Sequence, residues 1–164
     1  MEQQSKAQIM LSQAAQKTLI EDVCQRRKIE ACGVLLGEIS EQGNWHVQQV
    51  CPLPNIFASP VYFEFAPEDL LTMELTYPGQ IIGVYHSHPT GFAAASSTDR
   101  KNMRRVNREE QIPWVWLIIS GPFDERYAEQ ARHCLTAMPI IAYHHYEQGG
   151  LRQITILAEQ APPT

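Results

Sequence analysis

The stretch Gln80-Ile81-Ile82-Gly83-Val84-Tyr85-His86-Ser87-His88-Pro89 joins an apolar run to a pair of histidines. Ile81 to Tyr85 is short, apolar and rich in β-formers, so a strand is predicted from Gln80 to His86, with the first histidine at its C-terminal end. His86 and His88 are two residues apart, and extended backbone turns side chains at that spacing to one side. Pro89 cannot continue regular pairing, so the chain must turn there. The small residues of Thr90–Ala95 allow it to bend back and deliver Asp99 to the same place. Two imidazoles and a carboxylate make three good zinc ligands. Three protein ligands leave a fourth position for water, which is the pattern of a catalytic site.

Hydrolysis at such a site has further requirements. Zinc lowers the pKa of its bound water to about 7. A base must take the water's proton and pass it to the leaving group, and a donor must meet the developing oxyanion. Ser96, three residues before Asp99, is a candidate for the donor. Spacing alone leaves the base open among Glu30, Glu38, Glu64 and Glu74.

Other elements follow from periodicity and punctuation. Residues 1–6 read as a frayed start. Ser12 can cap a helix reaching about Arg27, with Ala15, Leu19, Ile20 and Val23 on one face. A buried strand is predicted from Cys32 to Ile39, and Trp45–Val50 pairs with it across the Gln42-Gly43-Asn44 turn. Val61–Phe65 alternates like a strand. A helix starts at Pro67 and runs to Thr76, with Glu68 and Asp69 at its positive end. A further helix is expected from Ser97 or Thr98 to about Glu109. Strands are expected over 114–119, 140–146 and 151–157. Trp114 and Trp116 share one face of their strand and read as core. Strands and helices that mix without strict alternation imply a mixed sheet with helices packed on it.

Composition narrows the class. With 164 residues, 44% hydrophobic and 19% charged, the chain fits one domain with a real core. A net charge of −5 argues against nucleic acid as partner. The basic run Arg100, Lys101, Arg104 and Arg105 reads as a solvated helix face. No apolar run is long enough to span a bilayer, and the start lacks a signal-peptide layout. The cysteines at 24, 32, 51 and 134 have no metal-knuckle or redox spacing, so buried free thiols in a reducing cytoplasm are expected. His144 and His145 are adjacent in a predicted strand and face opposite ways, and His46 and His133 stand alone, so structural or surface roles are expected for all four.

His86-Ser87-His88-Pro89, six residues, then Ser96-Ser97-Thr98-Asp99 resembles the signature of the JAMM (MPN+) metalloproteases. Ile29-Glu30-Ala31-Cys32-Gly33-Val34-Leu35-Leu36-Gly37 resembles the glutamate segment of the same family. The likeness spans roughly Leu11 to Ser120. It implies an α/β MPN domain: a mixed, curved sheet with a helix on either side, in a cytidine-deaminase-like architecture. One domain is expected over residues 1–164, with its core at about 7–158 and a loose tail at 159–164. The resemblance implies one zinc ion with its catalytic water on His86, His88 and Asp99, Glu30 as general acid/base, and Ser96 at the oxyanion. The expected substrate is a peptide or isopeptide bond after the Gly-Gly-type tail of a ubiquitin-like protein. A sulfur carrier that releases an amino acid such as cysteine is the alternative, and a non-catalytic binding module is another. No long insertions of the kind used for ubiquitin-chain selectivity are evident, so the chain looks like the compact prokaryotic members.

Overall fold

In the computed structural model the described residues are 4–161, so the ends expected to be loose at Met1–Gln3 and Pro162–Thr164 lie outside them. The strands are β1 (Gln4–Leu11), β2 (Cys32–Ile39), β3 (Trp45–Leu53), β4 (Ile81–His88), β5 (Val115–Ser120), β6 (Ile140–Tyr146) and β7 (Gly150–Ala158). They close into a barrel in the order β1-β3-β2-β4-β5-β6-β7. Pairing is parallel for β1 with β3, β1 with β7, and β4 with β5, and antiparallel elsewhere. The helices are α1 (Gln13–Gln25), α2 (Pro67–Thr76), α3 (Ser97–Arg104) and α4 (Glu125–His133). Among the described residues, no helix is long and apolar enough to cross a membrane.

The period of two along the strands sorts the core into two clusters. Leu35, Tyr85, Val115 and Leu117 pack with Leu19 and Val23 of α1 and with Tyr127 and Ala131 of α4. Their neighbours Val34, Leu36, Val84, Trp116 and Ile118 pack with Met103 of α3, and Leu70 and Met73 of α2 lie against them. Burying each such large side chain contributes about 1.5–3 kcal/mol. Trp114 and Trp116 belong to this second cluster, in edge-to-face contact at 6.0 Å. Close backbone approach is needed where β4 meets β5, because a Cβ on Gly83 would fall on the carbonyl oxygen of Val115.

Several elements differ from expectation. The supposed frayed start is β1 from Gln4 onward, held between β3 and β7 with Ile9 and Leu11 fully buried. Glu159, expected in a loose tail, donates from its backbone N–H to Leu11 O at 2.9 Å. Val61–Phe65 is not a strand: Val61 and Tyr62 are exposed, and the barrel closes without this segment. The helix expected to reach Glu109 is α-helical only to Arg104 and continues as a π-helical turn, Arg105–Glu109. Helix α4 was not expected, although Asp124 caps it by accepting from Arg126 N and Tyr127 N. The four cysteines are free, but of them only Cys32 is buried: Cys24 and Cys51 are half-buried and Cys134 is exposed. Arg100, Lys101, Arg104 and Arg105 are exposed, and Asp99 and Met103 of the same helix are buried.

Candidate metal centre

Strand β4 turns His86 and His88 to the side where Val84 packs with α3. Both are nearly inaccessible, at 1% and 6% exposure. Asp99 comes from the first turn of α3. A capping box fixes it: Ser96 Oγ accepts from Asp99 N–H at 3.0 Å, and Asp99 Oδ2 accepts from Ser96 N–H at 2.9 Å. The hydroxyl that the sequence offers as an oxyanion donor is thus also the helix cap.

Three side-chain groups converge. His86 Nε2 and His88 Nε2 are 3.2 Å apart, Asp99 Oδ1 is 3.2 Å from the first, and Asp99 Oδ2 is 3.2 Å from the second. A tetrahedral zinc with bonds of about 2.0–2.1 Å sets its ligands about 3.3 Å apart. The tautomer of His88 agrees with that fit. Its Nδ1–H donates to the Phe92 carbonyl at 2.7 Å, so the neutral ring points an Nε2 lone pair at His86 and Asp99. Protonating both rings instead would set two N–H groups face to face at this separation. A shared cation satisfies all three groups. The donor set of imidazole and carboxylate suits zinc, as it does other divalent first-row metals.

The electrostatics point the same way. Burial works against the charged form of Asp99, but the His86 and His88 rings, which donate to it whenever they carry a proton on Nε2, outweigh burial and hold the carboxyl well below its usual range. Burial pushes His86 down. For His88, burial is outweighed by its bonds to Asp99 and to the Phe92 carbonyl, and the ring ends above its ordinary value.

Glu30 arrives from the segment between α1 and β2. Its N–H donates to Ser59 O at 2.8 Å, and its carbonyl accepts from Asn55 Nδ2 at 3.0 Å. The next residue is stitched to β4: Ala31 N–H donates to Ser87 Oγ at 2.8 Å, and Ser87 N–H to Ala31 O at 2.9 Å. Glu30, His86 and His88 offer ligand atoms that lie within 4.8 Å of one another. Burial pushes the Glu30 carboxyl up to about 7; His88 opposes this to a smaller extent and the Asp99 charge adds to it. Glu38, Glu64 and Glu74, equally eligible on spacing, are exposed.

The remaining histidines are elsewhere. His144 Nδ1–H donates to Trp114 O at 2.8 Å, His145 Nδ1–H donates to Tyr146 O at 3.2 Å, and His46 and His133 are exposed. Some residues around the site carry no clear sequence signal. Phe63 stacks on His86 at 4.5 Å, and the exposed Phe92 ring stacks near His88 at 6.0 Å. Ser120 Oγ donates to the same Phe92 carbonyl at 3.0 Å. Asn55 followed a proline in an apparent break, and only the fold shows its amide bridging Glu30 O and Tyr62 O. The Ser96-to-Asp99 spacing was itself a readable capping-box signal.

A family model described as prokaryotic homologs of the JAB domain matches residues 12–135. No curated protein matches the chain. Among solved structures, the chain is similar to protein DSY2949 from Desulfitobacterium hafniense, at 22% identity and a TM-score of 0.66. That alignment covers 93% of this chain and 94% of the other, and at this identity it speaks for the fold. The family match spans most of the chain and both halves of the candidate centre, and the protein belongs to the JAB-domain (JAMM/MPN) family of prokaryotes.

Proposed function

We propose that this protein is a zinc-dependent peptidase or isopeptidase that cleaves the bond after the C-terminal tail of a ubiquitin-like protein. The observation that carries the reading is the convergence of His86, His88 and Asp99 at 3.2 Å beside the buried carboxyl of Glu30. His86, His88 and Asp99 would hold the ion, which supplies an acidified water and positive charge for the carbonyl oxygen. Glu30 takes a proton on its carboxylate and gives it to the leaving amine. An ordinary glutamate is too acidic to return that proton readily near neutral pH, and burial corrects this. Ser96 Oγ accepts from Asp99 N–H, so its own hydroxyl hydrogen is left to donate to the oxyanion.

The surroundings suit an extended chain with little bulk at its end. Phe63 and Phe92 stand against the two imidazoles, and exposed Val61 and Tyr62 continue the apolar wall. Strand β4 is paired on both sides, by β2 and β5, so a tail cannot add to the histidine strand itself. It would lie along the Val61–Phe65 segment, with Gly-Gly beside the ion. Four free thiols suit a reducing cytoplasm.

The test is incubation with a ubiquitin-like protein extended beyond its Gly-Gly tail, with and without a chelator, read by intact mass. Cleavage after the second glycine, lost with chelator and in Glu30→Gln, is expected. Full activity of Glu30→Gln with zinc retained would overturn the mechanism. Replacing the two glycines by bulky residues should abolish cleavage. Release of one amino acid from a sulfur-carrier adduct, with no cleavage of the ubiquitin-like fusion, would move the substrate to that class.

A further inference from the structure

A buried charged network lies behind Glu30, on the opposite face of β4 from the histidines. Arg26, the last residue of α1's C-terminal cap, forms a two-pronged pair with Asp22: Nε to Oδ1 and Nη2 to Oδ2, both at 2.7 Å. Nη1 also donates to Leu53 O and Nη2 to Cys32 O, each at 2.7 Å. Tyr85 Oη donates to Asp22 Oδ2 at 2.7 Å. Gly33 makes room for that phenol, since a Cβ there would lie 2.7 Å from Tyr85 Oη.

These bonds have a common geometric consequence. Arg26 and Cys32 bracket the five residues that carry Glu30, and the guanidinium bonds directly across them. Leu53 ends β3, and two residues later Asn55 holds the Glu30 carbonyl. One guanidinium therefore fixes the start of β2 and the end of β3, the two points from which Glu30 and its support depart. Tyr85 precedes His86 in β4, so the same network is registered to the histidine strand.

Stability alone does not account for the arrangement. A buried ion pair gives little net stability over well-packed apolar residues of the same volume, whereas its directional bonds specify one geometry. Asp22 is 6% exposed and the Arg26 side chain 22%. The metal ligands do not need this network, because His86 and His88 are set by β4 and Asp99 by the Ser96 cap.

We infer that Asp22, Arg26 and Tyr85 form a positioning device for Glu30, holding its carboxyl in register with the metal ligands. This rests on the reading of Glu30 as the acid/base. Misplacement by about 1 Å can cost about 100-fold in rate without loss of binding.

The test compares wild type, Arg26→Gln and Tyr85→Phe on the ubiquitin-like fusion, with zinc measured per chain. A control is Ile154→Val in β7, assayed at a temperature where every variant is folded. Arg26→Gln should lower kcat by about 10- to 100-fold with KM and zinc content unchanged. Tyr85→Phe removes a single hydrogen bond and should give a smaller fall of the same kind. It also carries the test if Arg26→Gln does not fold. Arg26→Lys keeps the charge without the fork and should not restore the rate. Unchanged kcat in the variants, a fall that tracks zinc loss, or an equal fall in Ile154→Val would overturn the inference. If wild type itself does not cleave, the proposed reaction fails and the positioning role falls with it.

Discussion

The Nδ1–H of His88 is given to the backbone carbonyl of Phe92 at 2.7 Å, and that bond leaves Nε2 as the ring's only group facing His86 and Asp99. Ser120 Oγ shares the same carbonyl at 3.0 Å. In a metal centre this would be the outer support of a ligand, and removing such partners costs up to about 10- to 100-fold in metal affinity. Ser120→Ala leaves the direct His88–Phe92 bond in place, so a loss at the lower end, about 10-fold or less, is expected. A competition assay against a zinc indicator measures it, and unchanged affinity would show that the serine only fills space.

Metal binding should fail on the acid side earlier than for an ordinary histidine site. Burial opposes the charge on His88, but its bonds to Asp99 and Phe92 leave its pKa raised above the usual 6.5. Protons therefore compete for this ring at higher pH, and affinity should already be falling when pH drops to 6.5. Zinc dissociation constants measured between pH 8 and pH 5.5 test this. A flat profile down to pH 6 would contradict it.

In chelator-treated protein, Glu30 should destabilise the fold at high pH. Its carboxyl is raised from 4.5 to about 7, chiefly by burial, so the folded state binds its proton more tightly than the unfolded chain does. Stability from this group is then present below pH 4.5 and lost as pH rises through about 7. Glu30→Gln should melt several degrees higher than wild type at pH 8, with the gap closing near pH 4.5. Equal melting at pH 8 would mean that the buried carboxylate is satisfied in some other way.

Gly83→Ala tests the barrel closure that supports the histidine strand. The added methyl would fall on the Val115 carbonyl, which is backbone and cannot swing aside. Overpacking of this kind costs about 1–3 kcal/mol. A lower melting temperature together with weaker zinc binding is expected, because β4 carries both. Wild-type stability would show that β4 and β5 separate more easily than their register implies.

Much of the site was legible because its chemistry is local. The His-x-His pair sits on one strand, and Asp99 follows within a turn of the helix that Ser96 caps. The expected strand over Cys32–Ile39 matches β2, and 140–146 matches β6. Burial was less legible. Spacing left four glutamates open and the family resemblance pointed to Glu30; the fold places Glu30 against the histidines and leaves the other three exposed. Long-range pairing was not readable either. Ala7, Ile9 and Leu11 alternate as a strand should, but the partners that make β1 a strand lie in β3 and β7, far along the chain. Val61–Phe65 had the alternation and lacked the partner. Helix α4 had its cap in Asp124 and paired Tyr127 with Ala131, a short signal that follows directly on a Gly-Pro stop.

Titration of zinc into chelator-treated wild type and His88→Ala at pH 7.5, followed by calorimetry, bears most directly on the convergence of His86, His88 and Asp99. One ion per chain in wild type, with binding weakened severely or lost in His88→Ala while the variant keeps its fold by circular dichroism, is the expected result. No binding by wild type, or the same stoichiometry and affinity in both, would contradict a metal centre at this site.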